Sequence, residues 1–117
     1  MASSSKATEP VELDQPTDEQ VDVAVVTLGL LADHTRLRIL WLLAAGEQDV
    51  GTLAQLAGAT PSATSQHLAK LRLAGLVAVR RDGRQHIYAA RGSHIRRLVE
   101  EVLFHADHRL SDAPDHD

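Results

Sequence analysis

Three histidines and a glutamate form a polar stripe near the end of the chain. His94, Glu101, His105 and His108 are separated by seven, four and three residues. At about 100° per residue, these positions fall within about a 60° sector of a helix. Imidazole ligands completed by oxygen suit Ni(II), Co(II) and Zn(II), and higher coordination numbers favour the first two. The stripe is therefore a candidate site for nickel or cobalt, with zinc as a third option.

A single helix cannot bring all three histidines to one ion. His94 and His105 are 11 residues apart, which is roughly 16 Å along a helix axis. If the last helices of two copies pack antiparallel, with the two-fold axis near Val99 or Glu100, His94 of one copy lies beside His105 and His108 of the other. Such a homodimer has two equivalent sites. Four residues could complete them: Glu101, His116, Ser93 and Asp107.

Several residue types and motifs that mark other classes of protein are missing from the sequence. The chain has no cysteine, which excludes disulfides, thiolate nucleophiles and thiolate metal sites. It has no Gly-rich phosphate loop, nucleophile elbow or HExxH motif, so we do not expect an enzyme. No run approaches the roughly 18 apolar residues of a membrane span, and the N-terminus lacks the apolar core of a secretory signal. We expect a cytoplasmic protein with no membrane partner.

The charge of the chain is segregated. The net charge is −4, but residues 60–97 carry eight Lys and Arg residues against one Asp. Residues 1–34 and 98–117 are both strongly acidic. A basic block inside an acidic protein is the electrostatic pattern that binding to double-stranded DNA requires.

The basic block begins with the signals of a helix-turn-helix. Asp49 is a plausible N-cap for a short helix that ends at Ala57, and Gly58 can adopt the left-handed conformation after it. Thr60 and Pro61 then form an N-cap and N1 pair for a helix to about Ala74. Short polar side chains near the start of such a helix read base edges, while Lys and Arg hold phosphates. The candidate DNA contacts on this helix are Ser62, Thr64, Ser65, Gln66, His67, Lys70 and Arg72.

A β-hairpin follows the second of these helices. Alternating runs at 76–80 and 85–89 flank an Asp-Gly turn, which predicts a wing. Arg80, Arg81 and Arg84 cluster at its tip, where a hairpin reaches an adjacent minor groove or phosphate row.

Helical periodicity predicts the remaining elements. Apolar residues recur in a first helix over about 18–32 (Val21, Val25, Leu28 and Leu31), a second over about 35–45, and a last one from Ser93 to about His108 (Ile95, Leu98, Val99, Val102 and Leu103). The fold class is mainly α with a small β-hairpin, a winged helix-turn-helix dimerising through its first and last helices. The predicted domain spans 17–108, between a flexible tail at 1–16 and an acidic tail at 109–117.

Three segments together resemble the ArsR/SmtB family of metal-responsive winged-helix regulators. They are LADHTRLRIL at 31–40, SQHLAKL at 65–71, and the hairpin that runs from GLV at 75–77 through RDGR at 81–84 to Tyr88. The resemblance covers about residues 18–108. It implies a dimer formed by the first and last helices, repression of a promoter, and release from DNA when a ligand binds. A two-fold dimer presents two recognition helices to a palindromic operator, with half-sites roughly 34 Å apart.

The same resemblance extends to the histidine stripe, with two departures. The family's interfacial site joins an Asp-x-His near the start of the last helix to a His-x-x-His or His-x-x-Glu of the partner. His94, His105 and His108 match this pattern, but Gly92 stands where the Asp is expected. The family's cysteine-bearing site before the turn is also absent, because this stretch reads QDVGT at 48–52. The resemblance is therefore to the nickel and cobalt sensors with a site on the C-terminal helix.

Two other interpretations fit the same residues. The protein could be a DNA-binding dimer without a metal response, controlled by a partner protein or a small molecule, in which case the histidines only solvate the helix or pair with carboxylates. It could also activate transcription rather than repress it, since that depends on operator position.

Overall fold

A computed structural model of the protein describes residues 14–112. The described part contains five helices and one three-stranded antiparallel sheet. This confirms the predicted mainly α fold with a small β element. The helices are α1 (Asp18–Leu31), α2 (His34–Ala45), α3 (Val50–Ala57), α4 (Pro61–Leu73) and α5 (Ser93–Asp112), and the strands are β1 (Gln48–Asp49), β2 (Val77–Asp82) and β3 (Gln85–Ala90). The predicted N-terminal tail lies almost wholly outside these residues, as does His116.

The first helices begin at side-chain caps that the sequence supplies locally. Thr17 and Gln20 form a capping box at α1, in which each side chain accepts a hydrogen bond from the other's backbone N–H. The Asp33 carboxylate caps α2 by accepting from the backbone N–H of Arg36 at 3.0 Å. Because Ala32 ends α1 only two residues before α2 begins, the chain turns sharply between them.

The core lies where α2, α3, α4 and the first residue of β2 meet, and one residue of α5 closes it. It consists of aliphatic side chains, as expected for a chain so poor in aromatic residues. Its buried members are Leu31, Ile39, Leu40, Leu43, Leu53, Ala57, Leu68, Leu71, Leu76, Val77 and Val99. α1 supplies one buried residue, Leu31, to this core, and the partly buried Leu30 packs against it. Most of the other apolar side chains of α1 lie elsewhere.

The predicted hairpin is present, and a third strand joins it. β2 and β3 pair from Val77 opposite Ala90 to Asp82 opposite Gln85, which leaves a two-residue loop. Gly83 opens this loop with φ 64°, the left-handed conformation that a tight hairpin turn needs at this position. The short β1, which the sequence did not reveal, pairs with the other edge of β3. β1 therefore ties the base of the wing to the start of α3.

The last helix is longer than predicted. α5 continues four residues past His108 to Asp112, so the predicted tail boundary at 109 is wrong for residues 109–112, which are helical. None of the described helices is both long and apolar enough to cross a membrane.

Candidate nucleic-acid interface and histidine site

The helix-turn-helix is built from α3 and α4, and each helix begins at a capping side chain. The Asp49 carboxylate accepts hydrogen bonds from the backbone N–H of Thr52 at 2.8 Å and from its hydroxyl at 3.0 Å. The backbone hydrogen bond to Thr52 is the main reason that the pKa of Asp49 lies below its ordinary value. Thr60 accepts from the backbone N–H of Ala63 at 3.0 Å, and Pro61 takes the first helical position. These local contacts fix where α4 starts.

α4 has a polar exposed side and an apolar buried side. At about 100° per residue, Ser62, Ser65 and Gln66 lie on one side, with Lys70 and Arg72 flanking it. All five side chains are exposed. The opposite side carries Thr64, Leu68 and Leu71, which are all buried. The structure thus brings five of the seven predicted contacts of this helix together on one free face.

Thr64 is a correction to the predicted set of DNA contacts. Its side chain is 0% exposed, because it shares the inward stripe with Leu68 and Leu71 at helical spacing. Its hydroxyl oxygen is the one buried side-chain polar atom in the described residues that has no hydrogen-bond partner. Thr64 therefore faces the core and cannot touch a groove.

His67 lies at the edge of this face and is half-buried. Its Nδ1 is 3.4 Å from Nη1 of Arg36, which belongs to α2. The sequence offered no sign of this contact, because the two residues are 31 positions apart and nothing in their local patterns connects them.

The three predicted wing arginines differ in their surroundings. Arg80 makes a bidentate pair with Glu47, with Nη2 to Oε1 at 2.9 Å and Nε to Oε2 at 3.3 Å. The hydrogen bond holds the pKa of Glu47 below its ordinary value and raises that of Arg80. Arg81 Nε donates to the carbonyl of Gly83 at 3.4 Å, and Arg84 is exposed in the loop. No local pattern in the sequence marks Glu47 as a partner of the wing, because Glu47 and Arg80 are 33 positions apart.

Helix α4 and the wing share one basic cleft. Its volume is about 270 Å³, and Arg72 of α4 and Arg81 and His86 of the wing are among its lining residues. Side chains that are separate in the sequence thus form one continuous basic surface, of the kind that contacts a phosphate row.

The histidines of α5 lie on the exposed part of the helix, away from its one buried residue, Val99. Val99 is 0% exposed and packs in the core, whereas His94, His105 and His108 are exposed. The His108 ring stacks in a tilted arrangement on Phe104, with 4.8 Å between centroids. Within the described residues of one chain, no three His, Asp or Glu side chains converge to hold a metal ion. Gly92 carries no ligand, and its φ of 81° is one that side-chain-bearing residues rarely adopt.

The main uncovered apolar surface is on α1. Five of its aliphatic side chains are exposed, on more than one side of the helix: Val21, Val23, Val25, Val26 and Leu28. The predicted stripe of α5, by contrast, is largely covered by the chain itself, since Ile95, Leu98 and Leu103 pack against the core. On α5 the exposed apolar side chains are Val102, Phe104 and Leu110.

Comparison with known proteins decides the family. The profile of the bacterial regulatory protein arsR family matches residues 33–79, which include α2, α3 and α4. The chain is 43% identical over 103 residues to the HTH-type transcriptional regulator KmtR of Mycobacterium tuberculosis, covering 88% of this chain and 79% of KmtR. The chain belongs to the ArsR family. It is therefore a transcriptional regulator, and the resemblance predicted from its sequence motifs is confirmed.

Two further relatives are a solved DNA-binding domain and a transcriptional activator. The solution structure of Mb0332 from Mycobacterium bovis, described as a homodimeric winged helix-turn-helix DNA-binding domain, aligns with a TM-score of 0.71 at 31% identity, over 89% of this chain and 95% of that one. HlyU of Vibrio cholerae, named a transcriptional activator, is 38% identical over 77 residues, covering 66% of this chain and 71% of HlyU. The predicted winged helix-turn-helix is thus confirmed.

Proposed function

We propose that this protein is a homodimeric cytoplasmic repressor that binds a palindromic DNA operator and releases it when Ni(II) or Co(II) binds between the two α5 helices, with Zn(II) as a further candidate. The observation that carries the proposal is the placement of three exposed histidines in one sector of α5. Membership of the ArsR family and the basic surface of α4 and the wing support the DNA-binding part.

We expect a second copy of the chain to bury the exposed apolar side chains of α1. A helix that is apolar on most of its circumference is stable only when it is buried, yet Val23, Val25 and Val26 are each more than 60% exposed in the single chain. The exposed Val102 and Phe104 extend the apolar surface to α5. The homodimeric state of Mb0332 supports the same arrangement for this chain.

The dimer would supply the metal ligands that one chain cannot. α5 is helical without a break from Ser93 to Asp112, so the roughly 16 Å between His94 and His105 is fixed. In an antiparallel pair, His94 of one protomer approaches the partner's His105 and the partner's His108. Three imidazoles make a donor set suited to nickel, cobalt or zinc. Glu101, exposed in the same sector, and His116 are candidates for the remaining position.

The proposed regulation is a coupling between two sites. When metal is bound, the ligands of both protomers hold the α5 helices at one mutual angle, and this changes the distance between the two α4 helices. By linkage, operator DNA must weaken metal binding by the same factor, which typically corresponds to about 1–3 kcal/mol. The outcome is a repressor that leaves its operator when the metal concentration rises.

Operator binding in the presence of each metal tests the proposal. Fluorescence anisotropy of the protein on DNA from its own promoter, at fixed salt, should show affinity that falls at least about tenfold with one of Ni(II), Co(II) or Zn(II), as expected for about 1.4 kcal/mol of coupling. The double variant H94A/H105A should bind the operator normally but lose the metal response. H34A, which removes an exposed imidazole from α2, is the matched control and should keep the response.

Gly92 has no side chain that could bind a metal ion, and this favours one competing function. In that case the dimer binds DNA without sensing metal, and a partner protein or a small molecule controls it. By analogy with HlyU, a transcriptional activator, it could activate transcription. Operator binding that none of the three metals changes would favour this alternative. Loss of operator binding in metal-free H94A/H105A would contradict the assignment of these histidines to sensing.

A further inference from the structure

The side chain of Arg36, which belongs to α2, contacts two other helices, α1 and α4. Its Nε donates to the carbonyl oxygen of Leu30 at 2.7 Å, near the end of α1. Its own backbone N–H, in the first turn of α2, donates to the Asp33 carboxylate. Its Nη1 lies 3.4 Å from Nδ1 of His67 on α4. The side chain is half-buried, so these contacts are partly shielded from water.

At α1 the guanidinium acts as a C-terminal cap. The backbone N–H of Ala32 bonds to the carbonyls of Leu28 and Gly29, which leaves the Leu30 carbonyl as one of the orphan acceptors of the last turn. A cation is favourable there because the C-terminal end of a helix carries partial negative charge. Arg36 therefore fixes the end of the helix that carries most of the uncovered apolar surface.

At α4 the same guanidinium selects the form of the His67 ring. The nitrogens of a guanidinium can donate hydrogen bonds but cannot accept them. Nδ1 of His67 must therefore be the accepting nitrogen, and the proton of the neutral ring sits on Nε2. His67 is half-buried, and its Nε2 is not among the fully buried unpartnered atoms of the described residues, of which the only one is on Thr64; Nε2 is therefore at least partly accessible at the edge of the polar face of α4.

We infer that Arg36 is a positioning residue for operator binding, which orients His67 so that its Nε2–H is presented to DNA and which links α1 to α4. The inference rests on the proposed role of α4 in binding DNA. Helices α1 and α4 are not among the described pairs that pack extensively against each other. Both helices pack against α2, and the Arg36 side chain adds a direct polar link between α1 and His67 of α4.

The tautomer of His67 tests the pair without DNA. Long-range ¹H–¹⁵N spectra of the imidazole, recorded at about pH 8 so that ordinary histidines are neutral, should show the Nε2–H form in the wild type. R36Q should give a mixture of both neutral forms. R38Q removes the same charge from an exposed position on α2 and should leave the spectrum unchanged. An Nδ1–H ring in the wild type, or a ring that R36Q does not alter, would overturn the inference.

A double-mutant cycle on operator affinity tests the functional consequence. R36Q and H67A should each weaken operator binding by about tenfold, the loss expected for one good polar contact. If Arg36 acts through His67, R36Q should cost little more in the H67A background. H67Q, which carries an amide donor close to the position of Nε2, should recover part of the affinity, whereas H67N should not.

Additive losses in this cycle would overturn the inference, because Arg36 would then act independently of His67. Each variant is first compared with the wild type for thermal unfolding and dimer size. If R36Q does not fold, R36K replaces it in the cycle. Lysine keeps the charge but lacks the planar guanidinium that reaches both the Leu30 carbonyl and Nδ1 of His67. A wild type that binds no promoter DNA would instead refute the proposed function, and the tautomer experiment would still decide the Arg36–His67 contact.

Discussion

Thr64 places a hydroxyl in the core with nothing to bond to. Its side chain is fully buried and its Oγ has no partner, which typically costs about 1–3 kcal/mol. Valine has almost the same shape without the hydroxyl. We therefore expect Thr64→Val to raise the free energy of unfolding by about 1 kcal/mol, measured by urea denaturation, and to leave operator affinity unchanged.

The matched control at this position is Thr64→Ser, which keeps the hydroxyl but removes a methyl group from a packed site. It should lower the free energy of unfolding by about 1 kcal/mol. A drop in operator affinity for the valine variant would contradict the conclusion that Thr64 faces the core.

Asp49 makes the stability of the helix-turn-helix depend on pH. Its pKa is lowered chiefly by the backbone N–H of Thr52. A carboxyl whose pKa is lower in the folded state stabilises the fold above its unfolded pKa, and this stabilisation is lost as pH falls through the folded value. Asp33 and Glu47 have lowered pKa values as well. We expect the protein to lose stability below about pH 4.

Asp49→Asn isolates the contribution of this cap. Asparagine still accepts the hydrogen bond at the start of α3 but does not titrate. Thermal unfolding between about pH 2 and pH 5 should therefore depend less steeply on pH in the variant than in the wild type. Equal slopes would mean that the Asp49 carboxyl does not contribute to the acid response.

The wing carries an arginine that is already paired. Glu47 holds Arg80 in a bidentate contact, and both side chains are about half exposed. In this position the carboxylate competes with DNA phosphates for the guanidinium. Glu47→Gln weakens the pair, so we expect tighter operator binding and a salt dependence steeper by up to about one phosphate contact.

Anisotropy titrations across a range of salt concentrations measure both quantities. Glu100→Gln removes the same charge from an exposed site on α5 and should change neither. If Glu47→Gln binds more weakly than the wild type, the carboxylate aims Arg80 at DNA rather than competing for it.

The elements that the sequence predicted are those with local signals. α3 and α4 start at Asp49 and Thr60, whose side chains bond to backbone N–H groups three residues on, and such spacing is visible in any sequence. β1 has no local signal, because its two residues are a strand only through pairing with Tyr88 and Ile87. The same limit applies to Arg36 and Glu47, whose partners lie 31 and 33 positions away.

The burial of Thr64 could have been predicted from its position in the sequence, although its residue type led to the wrong prediction. Thr64, Leu68 and Leu71 are spaced by four and three residues, which is the period of a buried helix face. Residue type suggested a DNA contact, whereas position on the helix correctly indicates the core. On α1, in contrast, the apolar spacing predicted a helix but could not say which chain covers it.

At the scale of the whole molecule, the apolar side chains of α1 are not covered by the single chain. Val25 is 61% exposed on α1, and the proposed dimer buries it. A carboxylate placed there would be buried without a partner, at a cost of about 3 kcal/mol or more. We therefore expect Val25→Asp to weaken dimerisation by at least about a hundredfold, as measured by analytical ultracentrifugation. Leu56→Asp, at a similarly exposed site on α3, should remain dimeric.

The same variant tests whether operator binding requires two recognition helices. The slope of log affinity against log salt reports the number of phosphates that are contacted. A monomer presents one α4 and one wing, so Val25→Asp should show about half the slope of the wild type and a much lower affinity. Its circular dichroism should stay that of a folded helical domain, since Leu31 is the only buried residue of α1. A monomer that keeps the full slope would mean that one copy makes all the phosphate contacts, and the two-fold operator would have to be abandoned.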